Sequence, residues 1–185
     1  MNKDRITALS DGIVAIAATI MVLELAVPDT LSIIALSEQL PTLLAYIVSF
    51  AMIYASWRSH HNAFEKADVI DGKVFIANGV WLLLISLVPF STGLMGKFPN
   101  STLAANIYVL VILFWTLSFQ FVDIAITNAN PNTIPDETRG NLERALMFGG
   151  YLLALLSSFF IPMLGVIVIG IMIVIMSIRI TKFKD

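Results

Sequence analysis

Two acidic side chains inside an apolar stretch are the residues of this chain best placed to do chemistry. Asp11 and Glu24 lie in the first apolar stretch, with 12 uncharged residues between them. That spacing corresponds to about 18 Å of helix, less than the roughly 30 Å core of a bilayer. At least one carboxylate must therefore avoid lipid, and ionisable groups at such depth usually face a bundle interior or a water-filled path. For Glu24, near Pro28, interfacial anchoring remains an alternative.

Asp11 needs partners from other helices. Arg5 lies six residues earlier in the sequence, about 120° around a helix, so the two side chains cannot pair on one helical face. Polar residues end the second apolar stretch and begin the third. We predict that these residues form a polar cluster with Asp11 near the cytoplasmic face: Trp57, His60, His61, Asn62 and Asn78.

The first apolar stretch also carries a stripe of residues at helical spacing. Gly12, Ile16, Thr19 and Leu23 recur at i, i+4, i+7 and i+11, which places them on one helical face. Small residues occupy much of the remaining surface, and small side chains let membrane helices approach closely. Such a stripe could line a narrow pathway if several copies surrounded an axis. Ordinary packing within a bundle explains the same pattern.

Metal binding and enzymatic catalysis have little support in the sequence. His60 and His61 are adjacent and would point about 100° apart on a helix, so they cannot easily share one metal. No phosphate loop, zinc motif, nucleophile elbow or pair of carboxylates on one helix appears in the sequence. We therefore predict a protein that is not an enzyme and holds neither a cofactor nor a structural metal. Asp123, a lone acid near the end of the fourth apolar stretch, is interpreted as making an interhelix or headgroup contact.

The elements that position these residues follow from composition. Hydrophobic residues make up 58% of the 185-residue chain and charged residues 13%, against roughly 45–50% apolar content in soluble domains. The net charge of −2 and the absence of cysteine argue against a nucleic-acid-binding domain and a disulfide scaffold. The predicted fold class is an all-α membrane protein.

Six stretches are long enough to cross a bilayer. We place the spans near 6–27, 39–60, 73–96, 103–126, 140–161 and 163–181, and treat residues 1–185 as one domain. The last two spans share 34 uncharged residues, from Ala145 to Ile178, a run of about 50 Å as a helix. We break it at Pro162, because proline removes a backbone donor. A single kinked helix is the alternative.

The basic residues support the count of six. With both termini in the cytoplasm, a single basic residue, Lys97, faces outward. Lys and Arg near span ends favour the cytoplasmic side. The other ten face the cytoplasm: Lys3, Arg5, Arg58, Lys66, Lys73, Arg139, Arg144, Arg179, Lys182 and Lys184.

Several segments resemble one known family. Residues 5–11, Arg-Ile-Thr-Ala-Leu-Ser-Asp, resemble the RxxxFSD signature on the first helix of the transmembrane protein 175 type potassium channels. The similarity continues through residues 16–25, 57–61, Asn78 and 87–92. Leu9 stands at the aromatic position of the signature, which keeps apolar bulk but loses ring stacking.

The resemblance implies a prokaryotic single-repeat member in which four six-helix subunits surround a central pore lined by the first helix. It implies a potassium-permeable, modestly potassium-over-sodium selective channel in the plasma membrane, whose partners are copies of itself and lipid. Instead of a carbonyl-lined filter, a hydrophobic constriction falls on Ile16, Thr19 and Leu23. The signature network that supports assembly then comprises Arg5, Ser10, Asp11, Trp57, His60, His61 and Asn78.

Two other functions remain open. A proton-coupled secondary transporter could use Asp11 with His60 or His61 as a relay. A non-conducting membrane scaffold is the third possibility. The transporter and the scaffold predict the same helices as the channel, so measurements of transport across the membrane are needed to tell the three apart.

Overall fold

The structure, a computed structural model, describes residues 2–182, and it describes side chains as far as residue 179. This part of the chain is helical and has no strand, which confirms the predicted all-α fold. The helices are α1 Lys3–Ile20, α2 Ile33–Ser37, α3 Leu40–Glu65, α4 Gly72–Ile85, α5 Val88–Lys97, α6 Thr102–Ala129, α7 Asn141–Ser158 and α8 Pro162–Lys182. Two 3-10 turns, Met21–Glu24 and Glu137–Arg139, follow α1 and precede α7. Lys184 and the side chain of Lys182 lie outside the described residues.

Five helical segments are long and apolar enough to cross a membrane. They are Lys3–Glu24, Ile33–Glu65, Gly72–Lys97, Thr102–Ala129 and Pro162–Arg179. Helix α7 is not among them, because Asn141, Glu143 and Arg144 make its first turn polar. The predicted span over residues 140–161 therefore stays a prediction.

Three local features differ from the predicted spans. The third span is two helices, since α4 ends at Ile85 and α5 begins at Val88; the missing N–H of Pro89 favours a new first turn over a continuous helix. The first span tightens into the 3-10 turn before residue 25 instead of continuing to 27. The segment before the second span forms the short helix α2. Between α7 and α8, residues 159–161 break the uncharged run, and Pro162 is the first residue of α8.

Helix α6 lies at the centre of the bundle and packs on α4, α5, α7 and α8. Trp115 on α6 and Trp81 on α4 are fully buried, with ring centroids 6.4 Å apart. Helix α1 packs at one side, against α3, α4 and α5. Burying large aromatic rings stabilises the centre of the fold, and α1 is left with one covered face.

Polar contacts tie the loops at one end of the bundle. The Asn130 amide accepts hydrogen bonds from the backbone N–H groups of Asp68 and Val69 at 3.0 and 2.7 Å. Asp123 is not a lone acid: Arg139 donates to it at 3.1 Å, and so does the backbone N–H of Asp136 at 3.1 Å. These contacts join the segment between α6 and α7 to α6 and join the end of α6 to the loop between α3 and α4.

Candidate functional site

The two faces of α1 have opposite environments. One face is buried against the chain itself and comprises Ile6, Ser10, Val14 and Ala17. The other is open and carries Gly12, Ile16 and Thr19 of the predicted stripe, and its fourth residue, Leu23, is exposed in the 3-10 turn that continues α1. The side chains of Ile16 and Leu23 are 60% and 77% exposed. Large apolar side chains exposed in this way must face lipid, a partner or a pathway in a membrane protein.

The buried face is joined to α3 and α4 by a chain of hydrogen bonds. His60 Nε2 lies 2.7 Å from Asn78 Oδ1, and Asn78 Nδ2 donates to Ser10 Oγ at 3.0 Å. Ser10 Oγ in turn donates to the backbone oxygen of Ile6 at 2.9 Å. All three polar side chains are buried. Buried hydrogen bonds of this kind are costly to leave half-made, so the chain fixes the position of α1.

The hydrogen bonds also assign the proton on His60. Because the Asn78 amide donates through Nδ2, its Oδ1 accepts, and the imidazole must therefore carry its proton on Nε2. The ring stacks on Trp81 at 4.2 Å and on Phe64 at 4.5 Å between centroids. His60 Nδ1 is buried and has no hydrogen-bond partner in the described chain. His60 is thus a packed side chain that donates one hydrogen bond, and its role in supporting assembly stays a prediction.

Asp11 has a separate partner. The indole N–H of Trp57 donates to Asp11 Oδ1 at 2.9 Å, and both side chains are half-buried. The Trp57 ring also lies 5.7 Å from the exposed His61 ring. No hydrogen bond joins Asp11 to His60 among the described residues. The predicted cluster is therefore two groups, one centred on Asn78 and one on Trp57.

Arg5 stands apart from both groups. Its side chain is exposed, and its guanidinium makes no hydrogen bond or ion pair within residues 2–179. In this single chain the membership of Arg5 in the signature network stays a prediction, because Arg5 contacts neither group. The physical reason is helical geometry: Arg5 projects from the first turn of α1, away from the face that carries Ser10.

Lys3 supplies an anchor that the sequence reasoning missed. Its ammonium donates to the backbone oxygens of Glu65 and Ala67, at 3.2 and 2.9 Å. Carbonyls at a helix C-terminus lack intrahelical partners and attract cations. The start of α1 is therefore tied to the end of α3. The one signal for this contact in the sequence was the position of Lys3 at the start of the first apolar stretch.

A second missed anchor holds the other end of α1. Met21 is fully buried, and its sulfur lies 3.6 Å from the Thr92 hydroxyl on α5. Thr92 is 2.8 Å from the Ser49 hydroxyl, which is 3.0 Å from the Tyr108 hydroxyl. The sequence signal for this anchor was the presence of two hydroxyl residues, Ser49 and Thr92, within apolar spans, because such groups need hydrogen-bond partners there. Together the anchors hold one face of α1 along its length and leave the stripe free.

Comparison with known proteins identifies relatives of this chain. The family model described as endosomal/lysosomal potassium channel TMEM175 matches residues 5–89. A potassium channel of Chryseobacterium sp. (strain P1-3) is 29% identical over 168 residues, which cover 90% of this chain and 88% of that protein. The endosomal/lysosomal proton channel TMEM175 of Bos taurus is 28% identical over 165 residues, 80% of this chain and 34% of that protein.

The fold is similar as well. The crystal structure of a lysosomal potassium-selective channel TMEM175 homolog from Chamaesiphon minutus superposes with a TM-score of 0.78. It is 30% identical in sequence, and the match covers 96% of this chain and 97% of that one. These matches confirm the resemblance seen in the signature residues. The chain belongs to the TMEM175 family of channels.

Proposed function

We propose that this chain is one subunit of a homotetrameric, potassium-permeable cation channel in the plasma membrane. Each subunit crosses the membrane six times, with α7 as the fifth crossing and both termini in the cytoplasm. Four copies of α1 surround the pore. The relatives named potassium channels and the fold they share with this chain support this assignment.

The observation that carries the proposal is the exposed stripe on an anchored helix. Hydrogen bonds and packing cover one face of α1, whereas Ile16 and Leu23 are largely exposed. An apolar stripe also suits lipid or helix packing, and the relatives named potassium channels favour a pathway. A stripe of this composition fits the wall of a narrow aqueous pathway shared by several subunits.

The constriction would act through hydration. A narrow ring of Ile16 side chains excludes water, and a hydrated ion loses favourable contacts when it enters such a neck. Opening then requires the α1 helices to move or rotate until the neck fills with water. Because potassium loses its hydration shell at a lower cost than sodium, partial dehydration at the neck gives a modest preference for potassium.

Thr19 is suited to offset part of that dehydration. Its hydroxyl donates to the backbone oxygens of Ala15 and Ile16, at 2.9 and 3.0 Å. The proton is thus directed at the helix, and the lone pairs of the oxygen are free to face a cation. In a tetramer, four such oxygens would form a ring one turn beyond Ile16.

Ion flux through reconstituted liposomes tests the proposal. Purified protein should release trapped potassium faster than trapped sodium, and protein-free liposomes should release neither. Chemical cross-linking should give a tetramer as the largest discrete species. A monomer that passes no ions would contradict both the channel and its tetrameric state, and would favour a scaffold.

A proton pathway is the second candidate, because the Bos taurus relative is named a proton channel. In this chain Asp11 bonds to Trp57 and His60 to Asn78, so a direct relay from Asp11 to His60 is absent from the described residues. A pH-sensitive dye inside the same liposomes separates the functions. Proton uptake without potassium flux would replace the first proposal with this one.

A further inference from the structure

A cavity of about 640 Å³ lies beside the end of α1 and is not used by the pathway described above. Three elements line it: the 3-10 turn after α1, the start of α3, and α5. Leu23, the last residue of the stripe, forms part of its wall. The cavity therefore opens next to one end of the proposed pore.

Glu24 contributes a carboxylate to this cavity. The carboxylate rests against Gly93 on α5, where a Cβ atom would overlap it. No hydrogen bond or ion pair joins Glu24 to another described residue. Its negative charge is consequently uncompensated by any direct partner, and glycine at position 93 makes room for it.

Thr42 contributes a hydroxyl with no partner. The residue is only 5% exposed, yet its hydroxyl makes no hydrogen bond to any described residue and lies over Gly96, another lining residue. Threonines beyond the first turn of a helix donate to a carbonyl three or four residues earlier, namely Thr7, Thr19, Thr92, Thr116 and Thr127, whereas Thr42 lies in the first turn of α3. The hydroxyl of this largely buried residue therefore has no protein partner to prevent it from binding an ion or water in the cavity.

The remaining lining groups set the net charge. Glu38 adds a second carboxylate, Gln39 an amide, and Lys97 an ammonium near the ring of Phe98. Two carboxylates against one ammonium leave the cavity negative. Carboxylate, hydroxyl and amide oxygens are the ligands of hard cations.

We propose that this cavity binds the permeant monovalent cation and feeds it to the adjoining end of the pore. The inference rests on the proposed channel function and adds to it a binding site at the Leu23 end of the stripe. Each subunit supplies one cavity, so four of them surround the pore entrance. Negative groups near an entrance raise the local concentration of cations.

Binding is tested without conduction. The purified protein is heated in KCl, and again with KCl replaced by N-methyl-D-glucamine chloride at the same ionic strength. We expect potassium to raise the Tm of wild type and to raise it less in Glu24→Gln and Thr42→Val. Asp29→Asn, which removes an exposed acid from the nearby loop outside the cavity, should keep the full potassium-dependent shift.

Conduction is tested in the same variants. The potassium concentration for half-maximal flux should rise about threefold in Glu24→Gln at low ionic strength, because one charge is lost near the entrance. The maximal flux should stay close to wild type. Gly93→Ala keeps the charge but displaces the carboxylate, and it should raise the half-maximal concentration as well, while Asp29→Asn should not.

The outcomes separate this inference from the channel itself. A flux-competent protein whose potassium-dependent Tm is equal in wild type, Glu24→Gln and Thr42→Val would overturn the cavity and keep the channel. A variant-sensitive Tm shift in a protein without flux would keep the cavity and overturn the channel. A shift produced by CaCl2 and not by KCl would overturn the proposal in favour of a divalent-cation site.

Discussion

The two faces of α1 differ in what holds them. The covered face is fixed by directional contacts: Ser10 to Asn78, and the Met21 sulfur beside Thr92. The open face carries Ile16 and Leu23, which have no polar partner and are largely exposed. One helix thus combines a rigid attachment with a free apolar surface. In the proposed channel, the attachment sets where the free surface points, and both are needed for a defined pore.

Breaking the attachment should have the largest effect. Asn78→Ala removes the group that bonds both His60 and Ser10, leaving the buried Nε2–H of His60 without an acceptor at a cost of about 1–3 kcal/mol, while Ser10 Oγ keeps its bond to the Ile6 backbone oxygen. We expect a strongly lowered Tm and loss of the tetramer on size-exclusion chromatography. Asn100→Ala, at an exposed asparagine, serves as the control. An unchanged tetramer with wild-type Tm would show that the hydrogen-bonded chain does not hold α1.

Changing the open face should leave the fold intact and alter flux. Ile16→Asn places polar groups in the proposed neck, so water enters more easily, and potassium flux should rise about tenfold with a lower preference over sodium. Val22→Asn introduces the same side chain at a 46% exposed residue on another face of this segment. If both variants change potassium flux and the preference over sodium equally, Ile16 does not form the constriction.

Removing the hydrogen bond between Trp57 and Asp11 should affect both the stability of the chain and its ion flux. Asp11→Ala and Trp57→Phe each remove the 2.9 Å hydrogen bond, and bonds to charged groups contribute about 1.5–3 kcal/mol. We expect disturbed assembly or gating in Asp11→Ala and a milder change in Trp57→Phe. A double-mutant cycle on the free energy of unfolding should give a coupling within that range. If the free-energy changes of the two single variants simply add in the double variant, the hydrogen bond does not contribute to stability.

The smallest effect is expected at Thr19. Thr19→Val keeps the shape and removes the hydroxyl oxygen, so the preference for potassium over sodium should fall by about twofold, with little change in Tm. The reversal potential between potassium and sodium solutions in bilayer recordings measures this preference. A preference equal to wild type would remove the Thr19 oxygen from the ion pathway.

The helices and the stripe followed from the sequence because hydropathy and periodicity are local properties. The contact between Asn78 and His60 was also foreseeable, since helix direction places the two at one membrane level. The separation of Asp11 from His60 was not, because it depends on which way each side chain turns within the bundle. The contacts of Asp123 and Lys3 were missed because their partners, Arg139 and backbone carbonyls, lie on loops whose paths tertiary packing decides.

The central claim is that the stripe of α1 lines the pore, and cysteine accessibility tests it most directly. The chain has no cysteine, so single substitutions give a clean background. Reconstituted Leu23→Cys, Thr19→Cys and Val22→Cys proteins are treated with a charged, membrane-impermeant thiol reagent during potassium flux. We predict that the reagent inhibits flux in the Leu23 and Thr19 variants and leaves the Val22 variant unaffected. Inhibition of the Val22 variant alone would contradict the account.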